Sequence, residues 1–284
     1  MTYPTAHSHD RPTIFDVRQL RIYYRQQCLV DTLNLTIPEN QIVALIGPSG
    51  SGKSLFLRCL NRLTDMMPPL RVTGHIFYRG RNLYDSGQDV ACIRRQIGMI
   101  FERPHLFPKS IYDNVAFGAR VNGYAGNMDE LVERSLQQVH LWPEVKDRLS
   151  HNAMALPLGQ QQQLCLARAI AVNPTVLLLD DPTLNLDALA SRRLEALFSE
   201  LKHRYTLIIA THDLQQAARL SDYTAFFHLK TDTGDQAVGY LVEYAETRAL
   251  FQRPQQSLTY NYVTGRWDDL DDCPVAPPIT AGDN

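Results

Sequence analysis

Gly47-Pro48-Ser49-Gly50-Ser51-Gly52-Lys53-Ser54 stands between a short apolar run, Gln41 to Ile46, and the crowded apolar spacing of Leu55, Phe56, Leu57, Cys59, Leu60 and Leu63. The run reads as a strand and the spacing as a helix packed on a sheet. These eight residues match the phosphate-binding loop pattern, and a strand before and a helix after are the context that pattern needs. Glycines let the backbone curl so that several N–H groups point inward, and a helix N-terminus adds partial positive charge. Lys53 would then reach the β and γ phosphates of a nucleoside triphosphate, and the Ser54 hydroxyl would ligate Mg2+. A Gly/Ser-rich turn can also join strand to helix with no ligand. Eight matching positions in the right context favour the phosphate reading.

Downstream, Val176-Leu177-Leu178-Leu179-Asp180 is an apolar strand ending in a carboxylate. Alone it would be an ordinary buried strand with an Asp turn. Paired with a phosphate loop, Asp180 becomes the group that holds Mg2+. Asp181 follows at once, where such enzymes place the carboxylate that polarises the attacking water. A third strand, Leu207 to Ala210, runs into Thr211-His212-Asp213. His212 just past a strand end can be a satisfied loop histidine. Its order after the two phosphate motifs makes it a group for the γ phosphate.

Residues 14 to 24 and 28 to 37 alternate apolar and polar, so the chain opens with β structure. Another strand ends at Phe101. From His105 to Leu156 the pattern is mostly helical, including Asp129 to His140, and could form its own lobe. Helices at Gln161 to Val172 and Ala188 to His203 then alternate with strands at Val176 to Asp180 and Thr206 to Ala210. The fold class is α/β, with a mainly parallel core sheet whose ligands sit at the strand C-termini. Residues 229 to 239 read as a hairpin insertion. Residues 1–12 read as a disordered N-terminus. Residues 268–284 read as a disordered acidic tail, rich in aspartate and proline and poor in apolar residues.

Composition sets the bounds. The 284 residues carry a formal net charge of -2 and are 44% hydrophobic, enough for one large α/β domain or a domain plus a lobe. A charge balanced this closely argues against nucleic acid as the main ligand. Five scattered cysteines without CxxC spacing indicate neither a disulfide framework nor zinc, which suits a reducing cytoplasm. No stretch reaches the roughly 18 apolar residues that span a bilayer, so membrane contact is expected through partner proteins.

With these motifs in order, residues 13 to 267 resemble the ATP-binding subunits of ABC transporters. The resemblance implies a P-loop ATPase domain with an antiparallel β subdomain beside the core sheet and a helical subdomain at about 103–160. It implies ATP and Mg2+ as cofactors. Tyr24 then stacks on adenine. Phe101-Glu102 falls at the Q-loop, where Glu102 touches metal and reaction. Leu156-Pro157-Leu158-Gly159-Gln160 occupies the signature position, with Gly159 and Gln160 toward nucleotide. Leu186-Asp187 resembles the D-loop and His212 the switch histidine. Phe107 to Gly118, Gln215 to Arg219, Ser221 to Phe227 and Tyr262 to Arg266 are most similar to the phosphate-import branch of that family. Importers of an amino acid or phosphonate remain open as alternatives.

Three departures accompany the likeness. Pro157 has neither the hydroxyl nor the N–H of the family's serine, and Leu158 replaces a glycine that permits close approach. The Q-loop glutamine is Glu102. The catalytic glutamate is Asp181, one methylene shorter. Two mechanisms follow from the resemblance. In one, two copies sandwich two ATP head to tail and drive two membrane permeases, served by an extracytoplasmic phosphate-binding protein, from the cytoplasmic face of the inner membrane. In the other, each site is weakened, and the chain is a slow or regulatory subunit paired with an intact paralogue. A soluble module working on ribosomes or DNA would carry two cassettes or a long coiled coil, and this sequence has one loop and no sustained heptads.

Overall fold

The computed structural model describes residues 12–231 and 236–266. The two ends expected to be disordered lie outside the described residues, Pro12 excepted. Strands β1 (Thr13–Tyr24) and β2 (Gln27–Pro38) form a long hairpin, and β3 (Ile42–Ile46) leads into helix α1 (Lys53–Leu60). Strands β4 (Leu70–Tyr78) and β5 (Arg81–Asn82), helix α2 (Val90–Gln96) and strand β6 (Ile97–Ile100) follow. Next come helices α3 (Ile111–Val121), α4 (Met128–Gln138), α5 (Trp142–Val145) and α6 (Leu158–Ile170). Strand β7 (Val176–Asp180), helix α7 (Ala188–Leu201) and strand β8 (Thr206–Ala210) restore the alternation. The chain continues through α8 (Leu214–Leu220), β9 (Tyr223–Thr231), β10 (Ala237–Glu246), α9 (Thr247–Gln252) and α10 (Ser257–Thr264).

The chain divides into two compact units, the second made of residues 40–42 and 89–209 and the first of the remainder. In the first unit the strand order is β5-β4-β1-β2-β10-β9-β3. Strands β4, β1 and β2 pair antiparallel, as do β9 and β10, while β2 with β10 and β3 with β9 pair parallel. All five residues of β3 are buried, which matches its uninterrupted apolar sequence. Helix α1 has only eight residues and could not persist alone. It is held by burial of Phe56, Leu57 and Leu60, each contributing about 1.5–3 kcal/mol, with the Phe56 ring 5.9 Å from that of Phe227 on β9. Of the hairpin expected at 229–239, residues 229–231 and 237–239 pair antiparallel at the end of β9 and β10, and 232–235 lie outside the described residues. The pair is fastened to β2 by Lys230, whose ammonium donates to Asp31 at 2.7 Å.

In the second unit the strand order is β8-β7-β6, with β6 and β7 parallel in the register Ile97↔Val176 to Ile100↔Leu179. Helix α6 starts at Leu158 rather than at Gln161, because Pro157 sits at its N-cap, where a missing N–H is tolerated. Residues 101–110 are not helical, although a mostly helical pattern is expected from His105. Pro104 and Pro108 break the run. The loop is instead organised by Asn114 of α3, whose Oδ1 accepts the Phe107 N–H at 2.9 Å and whose Nδ2 donates to Phe107 and Ser110 carbonyls. No helix among the described residues is long and apolar enough to cross a membrane.

Candidate functional site

In the first unit, β3 pairs with β9 as far as Ile46↔Phe226, so the next residue, Gly47, faces Phe227. A Cβ on Gly47 would lie 2.0 Å from the Phe227 carbonyl oxygen, and Gly47 has φ +142°. Only glycine lets the chain turn here against a neighbouring strand. At the other end of the loop, Gly52 caps α1 at φ +95°, and a Cβ there would meet Val30 of β2 at 2.4 Å. The loop therefore curls with its N–H groups at the start of α1. Lys53 is 4% exposed, and its ammonium donates to the carbonyls of Gly47 at 2.8 Å and Pro48 at 2.9 Å. The cationic head is folded over the loop. Ser51 is fully buried and its Oγ has no hydrogen-bond partner among the described residues. An unsatisfied donor inside a ring of backbone amides is what an anion would complete.

His212 belongs to the same unit. The Thr211 N–H donates to Leu45 of β3 at 3.1 Å, so the exposed His212 follows a residue anchored near the exit of β3. Tyr24 ends β1 at the turn into β2, and the Arg25 guanidinium stands 5.6 Å from its ring centroid. Cation–π contact of this kind leaves the opposite ring face for another flat group.

In the second unit, Asp180 is the buried last residue of β7. Asp181 takes φ +43°, a left-handed backbone uncommon outside glycine. Such conformations cost of order 1–3 kcal/mol and cluster at functional sites. Glu102 follows the end of β6, and its Oε1 accepts from the Asn185 amide at 3.0 Å. Gln162 of α6 is 1% exposed, and its Nε2 donates to the carbonyls of both Phe101, at 2.9 Å, and Pro182, at 3.2 Å. One buried amide thus pins the residue before Glu102 and the residue after Asp181. Sequence reasoning missed Gln162 and Asn185. A signal for the former existed, since Gln162 shares the buried stripe of α6 with Cys165 and Leu166 at i+3 and i+4.

At the start of α6, Leu158 is exposed and Gly159 is packed close, since a Cβ on it would lie 3.0 Å from the Ala190 methyl. The Gln160 side chain bonds to Glu144 and accepts from Arg148 at 3.4 Å. Asp187, in the Leu186-Asp187 pair, caps α7 through the N–H groups of Leu189 and Ala190. In the first unit, Gly239 escaped the sequence reading, and Tyr262 entered it only as part of a resembling segment, with no role at the loop. Gly239 of β10 admits the Ser51 carbonyl, which a Cβ would meet at 2.2 Å. Tyr262 of α10 stacks on Phe226 with centroids 4.6 Å apart. Burial pushes its hydroxyl up to about 12, against a hydrogen bond with the Gly47 backbone.

Comparison with known proteins identifies the family. Residues 30–184 match the model of the ABC transporter family. The phosphate import ATP-binding protein PstB 1 of a Synechococcus species is 49% identical over 252 residues, 89% of this chain and 92% of that protein. The protein of the same name from Trichormus variabilis is 47% identical over 260 residues, 92% of this chain and 94% of its own. Among solved structures, CbiO1 of Clostridium perfringens, described as part of the ABC transporter complex CbiONQ, superposes with a TM-score of 0.70 at 22% identity. It covers 92% of this chain and 99% of its own, a likeness of fold. With its phosphate loop, its strand-end carboxylates and near-half identity across almost the whole length, this chain belongs to the ABC transporter family, among its phosphate import ATP-binding proteins.

Proposed function

We propose that this chain binds ATP and hydrolyses it to power phosphate import across a membrane. The observation that carries the reading is the Gly47–Ser54 loop, curled on glycines that no other residue could replace and closed by a buried Lys53, in a chain about half identical to proteins named for phosphate import. The buried Ser51 hydroxyl without a partner and the inward amides fit a triphosphate. In this reading Lys53 and the loop amides hold the β and γ phosphates, Tyr24 stacks on adenine and His212 contacts the γ phosphate. Ser54, Asp180 and Glu102 are the oxygen donors for magnesium, a hard ion that binds through one or two carboxylates plus substrate phosphates. Magnesium supplies neutralisation of the phosphate charge. Asp181 orients the attacking water and accepts its proton.

The partners follow from the same reading. Two permeases and an extracytoplasmic phosphate-binding protein complete the transporter, with this chain at the cytoplasmic face of the inner membrane. The surface around Lys109, Phe117 and Val121 receives the permeases; all three are exposed, and the Phe117 ring rests 4.5 Å from Phe107. Two ATP-binding subunits pair head to tail, Gly159 and Gln160 serving the nucleotide of the opposite one. Purified protein decides the enzymatic part: turnover above that of Lys53→Ala is expected, and turnover equal to it overturns the reading. Uptake of labelled phosphate should fall to background when the subunit is deleted. Unchanged uptake would reassign the solute.

One observation favours a second reading. Pro157 offers no hydroxyl or N–H, and Leu158 stands exposed where close backbone approach is needed. A subunit with such a signature supports its partner's hydrolysis poorly, so pairing with an intact paralogue is the alternative to a homodimer. Mass measurement of the native complex separates them.

A further inference from the structure

The second unit holds a cavity of about 470 Å³ that the carboxylate segments do not line. Its wall is built from residues of α2, α3 and α4, the end of α6 and the turn from α7 into β8. Three arginines line it, Arg95, Arg134 and Arg204, and no aspartate or glutamate does. The chain as a whole carries 28 lysines and arginines against 30 acidic residues, so a wall of one sign is a local arrangement and not a reflection of composition.

The three guanidiniums are exposed, and none meets a carboxylate among the described residues. Arg95 contacts only the Cys92 sulfur, at 3.9 Å. Glu130 and Glu133, on the same helix as Arg134, accept instead from Asn127 and Gln137. Arg134 and Arg204 converge on one side chain. Burial pushes the Tyr205 hydroxyl up, and the positive charges of Arg204 and Arg134 both pull it the other way, so both guanidiniums stand near that phenol. The Tyr205 hydroxyl donates to Gln138 Oε1 at 3.1 Å. That bond occupies the amide's acceptor and leaves its Nε2 hydrogens for a ligand.

The cavity lies away from the strand-end carboxylate. Its Asn173 precedes β7, whereas Asp180 ends that strand. Five residues of strand, roughly 16 Å, separate the two ends, so an occupant of the cavity does not displace one held at Asp180. Guanidinium forks match phosphate oxygens, and such charge-assisted bonds are about twice as strong as neutral ones. The volume falls in the range of small-molecule sites, about 300–1,000 Å³, which is more than one phosphate fills. Three arginines mounted on separate elements likewise exceed what one phosphate dianion neutralises.

We propose that this cavity binds a soluble small molecule carrying two or more linked phosphate groups, with Arg95, Arg134 and Arg204 as anion contacts and Gln138 as a hydrogen-bond donor. The site stands apart from the ATPase reading and does not depend on it.

The test is a calorimetric titration of the full-length chain carrying Lys53→Ala, which weakens the Gly47–Ser54 loop, with magnesium-free sodium tripolyphosphate as the probe. Binding is expected. Arg134→Gln should weaken it by about tenfold or more, and Arg204→Gln added to it by about tenfold again. Inorganic phosphate as the probe should bind at least about tenfold more weakly than tripolyphosphate. The arginines are exposed, so the variants should keep the melting temperature of their parent; if the double variant does not fold, Arg95→Gln, on a different helix, should show the same tenfold loss. No binding to the Lys53→Ala chain overturns the proposal and leaves the arginines to an acidic segment of a partner protein. Affinity indifferent to the arginines, or inorganic phosphate as tight as tripolyphosphate, overturns it as well.

Discussion

The loop of the first unit and the carboxylate segments of the second follow their family's pattern to different degrees. Around Gly47–Ser54 every expected residue is present, and the neighbours that force it are backbone atoms: a Cβ at Gly47 meets a carbonyl oxygen and one at Gly239 meets another. At Glu102, Asp181, Pro157 and Leu158 the residues differ from expectation, and contacts there run through side chains: Asn185 meets Glu102, and the neighbouring Gln160 meets Glu144 and Arg148. Backbone cannot be exchanged by mutation, whereas side-chain partners can change together. The loop is therefore the rigid half of this comparison and the carboxylate segments the adaptable half.

That contrast breaks first at Asp181. Asp181→Asn should lower ATP turnover by about 10²–10⁴-fold, the usual contribution of a general base, with nucleotide affinity unchanged in a fluorescence titration. Loss of affinity instead would merge the two halves. Lys53→Ala removes a charge-assisted contact worth about 1.5–3 kcal/mol, so affinity for ATP should fall by about ten- to a hundredfold in the same titration. The adaptable half can also be restored. Pro157→Ser with Leu158→Gly is expected to raise steady-state turnover by up to about tenfold, or roughly 1.4 kcal/mol of transition-state stabilisation. No gain would mean that the present signature is already matched to its partner.

Two smaller effects sharpen the comparison at the surface. Lys109→Glu should weaken permease association several-fold in a pull-down or by calorimetry, as a rim charge does, and leave ATP binding as it was. At Asp31 of β2, burial works against the charge, but hydrogen bonds from Lys230, Thr32 and Arg21 outweigh it and bring the carboxyl down to about 2. A depressed carboxylate stabilises the fold above the unfolded value near 4, and that contribution disappears as pH falls through 2. The melting temperature of Asp31→Asn should therefore lie slightly below wild type at pH 6 and converge with it near pH 2.

Much of this could be read before the structure. The strands Val176–Asp180 and Thr206–Ala210 were legible to the residue, because uninterrupted apolar runs bounded by polar turns have one buried solution. The mostly helical stretch read from His105 begins only at Ile111, because Pro108 keeps the residues before it out of the helix. Strands β4 and β5 and helices α2, α8, α9 and α10 left weaker traces. They are short or mixed in composition, and long-range pairing decides them.

The sequence by itself located the glycine loop at Gly47–Ser54, the carboxylate at the end of β7 and the family, because those depend on residues close together in the chain and on backbone freedom that only glycine supplies. Tertiary structure alone decided that the third of four consecutive glutamines is the buried clamp and that Asn185 holds Glu102. It alone decided that Tyr262 lies against Gly47. Those contacts join residues from 20 to 83 positions apart for the clamp and the tether, and farther for Tyr262. No local period encodes which distant carbonyl a side chain will meet; packing of the surrounding helices and strands does.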